Sequence, residues 1–395
     1  MKKTSYLFII LFIISCSNKN HENSHLSFLQ EQKNTAKEFV LDLFKEYNIV
    51  ILCERDHKEF TQYELIRDIV KDPYFIDNVG QIFTEVGVSN MDSIINNFLQ
   101  SGYQDSLTTR KKVTSIFREI DYTPYWHCYS YPWFLTELHK INQTLSLDKK
   151  LLLHPADIEF DWSTIRNPED YKAFESTILN RDSMMAQNII KMLDHVQLKR
   201  IGNKKALIIM NYKHAFLKDF WLEGNVTQST GRYLADHFKE KVASVYIMGL
   251  AIPEPGKYAL VKDGLWDYDF ERLNITDVGF NLADSPFGSE DFDVIPPDPA
   301  NDLKYKDVFT GLVFYKPVQE HIFRIGWNGF VTNEFLPELK RRIEIFNTAR
   351  ELGFPKEKLD EVLYKNNTEH SQQYSDIKEL RMLIDQWKKR FNSDR

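Results

Sequence analysis

The 395-residue chain has only 3 cysteines, and none of them forms a Cys-x-x-Cys pair. A disulfide framework and a thioredoxin-type redox motif are therefore excluded. Positive charge is also in short supply: 50 Lys and Arg stand against 57 Asp and Glu, a formal net charge of −7. A nucleic-acid binder needs a basic face to neutralise phosphates, so that partner class is set aside. Glycine and proline, 15 and 14 in number, are too few for a collagenous or low-complexity chain. No Gly-x-Ser-x-Gly elbow, P-loop or Gly-x-Gly-x-x-Gly run is present. A serine-nucleophile hydrolase and the common nucleotide-binding folds lose their usual support. What is abundant is aromatic side chain, with 28 Phe, 19 Tyr and 7 Trp. Rings in that number must fill a core or line a cleft.

The chain opens MKKTSYLFIILFIISC. Lys2 and Lys3 precede an apolar run from Tyr6 to Ile14 that is too short to span a bilayer, and Ser15-Cys16 follow. This is the layout of a secretory signal. Ile13-Ile14-Ser15-Cys16 also resembles the bacterial lipobox, in which the cysteine is acylated and becomes the new N-terminus. The expectation is a signal peptide at 1–15 and lipidated Cys16 with a polar tether at 16–32. Such a protein would sit in the cell envelope, facing the periplasm or on the outer membrane. With Cys16 acylated, Cys53 and Cys128 remain, and their pairing is open.

Short apolar runs recur at 49–52, 82–83, 151–153, 206–210, 242–248 and 312–315, the pattern of strands covered on both faces. Helical periodicity separates them at 59–70, 131–141, 178–196 and 231–239. This alternation predicts an α/β fold with a mainly parallel central sheet flanked by helices. Residues 33–330 are expected to form that catalytic domain. From 331 to 395 the pattern is helical, at 335–352, 356–364 and 376–391, a C-terminal helical extension. The acidic, proline-containing stretch 284–302 reads as a long surface loop or lid. Trp126-His127-Cys128, Trp133, Trp266, Tyr268 and Phe270 read as packing more readily than as ligands.

Polar residues follow the expected strands at four places, where parallel α/β sheets gather their active groups. Cys53-Glu54-Arg55-Asp56-His57 follows the first. Glu54 can orient His57 and leave its Nε2 to take a proton from water, or Asp56 can simply cap the next helix. Glu85 interrupts the second run, and a buried carboxylate must be paired or functional. Leu153-His154-Pro155-Ala156-Asp157 ends the third. Asn211-Tyr212-Lys213-His214 ends the fourth, with donors suited to a substrate carbonyl or an oxyanion.

Taken in order, these segments resemble the erythromycin esterase family, within a superfamily that includes ChaN-like haem-binding lipoproteins and Tiki proteases. The family begins with a strand and Gly-Glu-x-x-His; this chain has Cys53 in place of the glycine, then Glu54 and His57. Tyr63, Leu65 and Arg67 are similar to its next helix, and Glu85 to the Glu closing its second strand. Arg181-Asp182-Ser183-Met184-Met185-Ala186-Gln187-Asn188 matches its Arg-Asp-x-x-Met-Ala-x-Asn helix. His214 matches the second histidine of its His-Asn-x-His, whose first is absent. Gly231-Arg232-Tyr233-Leu234 is similar to its last helix start. The resemblance spans roughly residues 45–250 and weakens towards 325.

The resemblance implies that His57 activates water, that Glu54 and Glu85 position base and water, and that His214 and Arg67 polarise the scissile carbonyl. Asn211, Lys213, Asp157 and Arg181 would contact the substrate, a small-molecule ester or lactone, with no cofactor required. Two alternatives share these side chains. Glu54, His57, Glu85 and His214 have the donor types for a divalent metal, and a ChaN-like haem or iron carrier would use the same histidines.

Overall fold

In a computed structural model, residues 24–126, 128–196, 204–254, 257–298 and 300–393 are described. The apolar leader, Cys16 and His127 lie outside them. Among the described residues, no helix is long and apolar enough to cross a membrane.

Seven strands form the central sheet: β1 (Ile49–Glu54), β2 (Gln81–Val88), β3 (Leu152–Asp157), β4 (Ala206–Asn211), β5 (Val242–Ile247), β6 (Asp277–Asn281) and β7 (Gly311–Tyr315). Their order is β6-β7-β5-β1-β4-β2-β3. All neighbours run parallel except β6 and β7, which are antiparallel. Side chains alternate across a strand, and both faces are packed. Val50 and Leu52 join one core cluster with Ile82, Leu207, Ile209 and Val245. Ile49, Ile51 and Cys53 join the other with Phe83, Ile208 and Met210. The architecture is the α/β fold the alternation predicts, with a mainly parallel sheet between helices.

Periodicity locates the long helices well, at Thr61–Val70, Ser130–Gln143, Arg181–Val196 and Thr230–Phe238. It passes over Ala36–Leu43, Asp92–Gln100, Ser106–Arg118 and Leu265–Arg272, whose apolar stripes are short or broken by polar residues. Cys53 and Cys128 are both buried free thiols.

Three segments differ from expectation. Residues 24–31 of the expected tether are helical and dock on the body, burying Leu29 and His25. The acidic stretch 284–302 is no free loop, because Phe287, Val294 and Ile295 within it are buried. The C-terminal region returns to the body. His370–Gln372 pairs antiparallel with Phe323–Ile325, and helix Ile377–Ser393 packs on Leu265–Arg272. There Phe391 stacks on Tyr268 at 5.4 Å, and Arg381 and Lys388 both pair with Glu271.

Candidate active site

Strand order decides what meets at the carboxyl edge. β1, β4, β2 and β3 are consecutive neighbours, and Glu54 stands opposite Asn211 in register. With strands about 4.8 Å apart, Glu54, Asn211, Glu85 and Asp157 all lie towards the carboxyl ends of neighbouring strands. At β2 the pairing with β3 shifts between Thr84 and Val88, a bulge of the kind that re-aims side chains beside functional sites. It needs Gly87, which has φ +106° and would place a Cβ 2.8 Å from Pro155 Cβ.

The first pair is local. Glu54 Oε1 lies 2.7 Å from His57 Nδ1, one turn of chain apart. The turn is locked from below by Arg55, whose guanidinium bonds Glu59, the Met248 carbonyl and the Tyr315 carbonyl. Glu59 and Gln62 satisfy the backbone around it: Glu59 accepts from the N–H groups of Thr61 and Gln62, and Gln62 accepts from that of Arg55. Glu59 thus performs the helix capping that the sequence offers to Asp56, whose side chain accepts from the N–H of Lys58. His57 keeps 23% of its side chain exposed and meets the Trp126 ring edge-on at 5.5 Å. Burial works against the charged imidazole, but the Glu54 carboxylate, helped by Glu85 and Asp56, raises its pKa to about 9.

The second pair is assembled across the chain. His214 sits on the short turn Tyr212–Ala215 after β4, and its Nδ1 lies 2.8 Å from Asp182 Oδ1. The same oxygen accepts from the backbone N–H and the hydroxyl of Thr230. That packs the Thr230–Phe238 helix against the His214 turn so closely that a Cβ on Gly231 would lie 2.7 Å from the Ala215 carbonyl oxygen. His214 Nε2 stands 3.4 Å from Glu85 Oε1, so a carboxylate faces either ring nitrogen.

Glu85 joins the two halves. Its Oε1 accepts from both terminal nitrogens of Arg181 at 3.2 Å, and its Oε2 accepts from the Asn211 N–H at 2.8 Å. Burial pushes this carboxyl up, but His214, His57 and Arg181 outweigh it and hold the pKa at about 2. Arg181 also grips Asp157 through Nε at 3.0 Å and Nη2 at 2.8 Å. Asp121, beside Asp157, is pushed up by burial to about 6.

Glu54, His57, Glu85 and His214 are therefore brought together, and several expected substrate contacts are reassigned. Arg181 and Asp157 are spent largely on each other and on Glu85, since buried charge demands a partner. The Asn211 amide donates to the Arg55 carbonyl at 2.6 Å. Lys213 is half-buried on its turn and enters none of these bonds. Arg67 does not reach the site: its guanidinium pairs with Asp68 at 2.9 Å and lies 5.7 Å from the Trp133 ring centre. His154, bonded to Asp92 and Gln81, belongs to the core. Among the described residues, no three His, Cys, Asp or Glu side chains are grouped to hold a metal ion. The two histidines each turn Nδ1 to a carboxylate, and Arg181 occupies Glu85, so the four donors do not converge on one point.

Asp182 and Thr230, which hold His214, have no role in the sequence reading beyond the place of Asp182 in the Arg181–Asn188 motif. Residues 21–25 spell His-Glu-x-x-His, the spacing of a zinc-protease signature. His21 and Glu22 lie outside the described residues. His25 is buried with its ring nitrogens 2.7 Å from Asp269 and 2.9 Å from Glu290, an anchor for the N-terminal helix.

A cleft of about 300 Å³ adjoins these strand ends on the β5 side. Glu54 and Asn211 form part of its wall, with Tyr212, Tyr246, Tyr258 and the C-terminal segment 372–376.

No protein-family model matches the chain, and no curated protein matches it. Among solved structures it is similar to a Bacillus cereus protein from structural genomics, at 13% identity and TM-score 0.45, covering 75% of this chain and 97% of that one. It is also similar to an erythromycin esterase, EreC, in its open conformation, at 13% identity and TM-score 0.43, over 70% of this chain and 92% of the other. A succinoglycan biosynthesis protein aligns at 10% identity and TM-score 0.49, over 76% and 97%. These are remote likenesses in the course of the chain, and no functional inference is drawn from them.

Proposed function

We propose that this chain is a hydrolase that cleaves a carboxylic ester or lactone with water activated at His57. The observation that carries the reading is the 2.7 Å contact between Glu54 and His57 Nδ1, on an imidazole that remains partly open to solvent. Glu54 fixes the ring so that Nε2 handles the proton. In the neutral state Nε2 takes a proton from water as the oxygen attacks the carbonyl carbon, and it then returns that proton to the departing alkoxide. Glu54 and Glu85 stabilise the imidazolium formed in between. Arg67 lies elsewhere, so the fixed positive charge beside the developing oxyanion is Arg181, shared with Glu85 and Asp157.

A pKa of about 9 leaves His57 mostly protonated at neutral pH. The reaction should therefore accelerate with rising pH and level off near 9. The test is a panel of esters and lactones, assayed with the purified chain across pH 6–10, with and without chelator. Hydrolysis that survives chelator, follows this profile and disappears in His57→Ala supports the reading. Hydrolysis abolished by chelator, or undiminished in His57→Ala, overturns it.

Attachment to the cell-envelope membrane through a lipid on Cys16 belongs to the same proposal. It predicts incorporation of labelled fatty acid that is lost in Cys16→Ser, with release of the protein from the membrane fraction.

A further inference from the structure

The cleft shares Glu54 with the first histidine pair but is lined by neither histidine, and its lining has a distinct character. Tyr212, Tyr246, Tyr258 and Tyr374 supply ring faces, with Leu250 and Val294 between them. Hydrogen-bonding groups line it too: Gln372, Gln373, Ser375, Asp376 and Asp56. Its charges are one-sided. Glu54, Asp56 and Asp376 line the cleft. Its one lining cation, Arg55, is buried and bound to Glu59 and two carbonyls. Glu54 is 1% exposed, and its Oε2 is left without a hydrogen-bond partner.

An anionic ligand would meet the carboxylates of Asp56 and Asp376, and a plain alkyl chain would leave amide and carboxylate groups unpaired. A ring with an apolar C–H face and a rim of hydroxyls suits this mixed lining: the face packs on tyrosine, and the hydroxyls donate to the acceptors.

We infer that this cleft binds the alcohol part of the substrate and that this part is an uncharged carbohydrate, so that the reaction is deacylation of a sugar ester. The inference rests on the hydrolase reading and adds the substrate class. It also gives the C-terminal segment a role. Residues 372–376 follow the strand that pairs with Phe323–Ile325, and Tyr374 meets Phe323 edge-on at 4.7 Å. The segment is held in place as a wall of the site. The bond broken is the acyl C–O bond; water supplies the hydroxyl of the released acid and the proton of the freed sugar alcohol.

The test uses the full chain and two readouts. Binding of methyl glucoside, galactoside and mannoside is followed by calorimetry, which requires no turnover. Hydrolysis of their mono-O-acetyl esters is compared with that of 4-nitrophenyl acetate and 4-nitrophenyl hexanoate. At least one glycoside should bind, and its ester should be preferred over the simple acetate by tenfold or more in kcat/KM. Tyr374→Ala and Tyr258→Ala should each weaken glycoside binding and raise KM for that ester tenfold, a loss in kcat/KM at least fivefold larger than on 4-nitrophenyl acetate. Tyr374→Phe should keep most of the sugar preference. Sugar binding without cleavage of any ester would overturn the hydrolase reading and leave the cleft assignment standing. Ester cleavage with no sugar bound, a preference for the hexanoate, or equal effects of the tyrosine variants on all esters would overturn the cleft assignment alone.

Discussion

The two histidine–carboxylate pairs reach similar geometry by opposite routes. Glu54 and His57 are three residues apart on one turn, and their 2.7 Å contact needs only β1 and the Arg55–Glu59 lock beneath it. Asp182 and His214 are 32 residues apart, held at 2.8 Å by a helix start, a short turn and the Thr230 cap. The local pair is partly open, with His57 23% exposed, whereas His214 is only 9% exposed. Under the proposed mechanism the difference divides the roles: the imidazole that must meet water is the open one, and the enclosed one is held by Asp182 and Glu85. Glu85 stands between them, held by Arg181, and makes the two pairs one electrostatic unit.

Breaking the open pair has the largest expected effect. His57→Ala should cost about 10³-fold in kcat, within the range for a lost general base, and should also lower stability in denaturant because buried Glu54 loses its partner. Arg181→Met attacks the shared centre. It leaves Glu85 and Asp157 buried without their cation and should destabilise the fold by about 3 kcal/mol, read from urea unfolding at pH 7.

Glu54→Gln sharpens the comparison through pH. The raised His57 pKa means that its pairing stabilises the folded state fully below about 6.5, the imidazole's ordinary value. This contribution is lost as pH rises through about 9. The native chain should therefore lose stability across that window, and the variant much less. The rise of its rate profile should also move down towards 6.5. Glu85 acts in the opposite sense: its contribution is present above 4.5 and lost as pH falls towards about 2.

Asp182→Asn weakens the enclosed pair and should lower kcat about tenfold, with its pH midpoint unmoved because His57 is untouched. Arg67→Ala should change neither kcat nor KM by more than twofold, since its guanidinium faces Asp68 and Trp133. A large loss there would mean that the site extends over the Thr61–Val70 helix.

What the sequence reveals follows the same division between local and distant. Strands covered on both faces write themselves as unbroken apolar runs, so β1, β4 and β5 and the parallel sheet were legible. The Glu54–His57 pair was legible because its partners share a turn. Strand order was not, and it is order that sets Asn211 between Glu54 and Glu85. Arg181 and Asp157 were noticed for their chemistry but given to the substrate; sequence says which residues carry charge, not which charge neutralises which. Arg67 was misplaced for the same reason, because its helix position does not show which way the guanidinium turns. The C-terminal helices were visible, yet their return to cover the cleft depends on His370–Gln372, a strand too short to register.

The two thiols offer a handle on how this region breathes. Cys53 sits in β1, and Cys128 Sγ lies 2.8 Å from the His57 carbonyl. Burial lifts Cys128 to about 12 and Cys53 well above its ordinary value, so neither is an ionised nucleophile while the fold is closed. An alkylating probe would label them only during excursions that expose the ends of β1 and its turn. Labelling kinetics at these two sulfurs would thus clock local opening around the imidazole against opening of the sheet beneath it, using reporters the chain already carries.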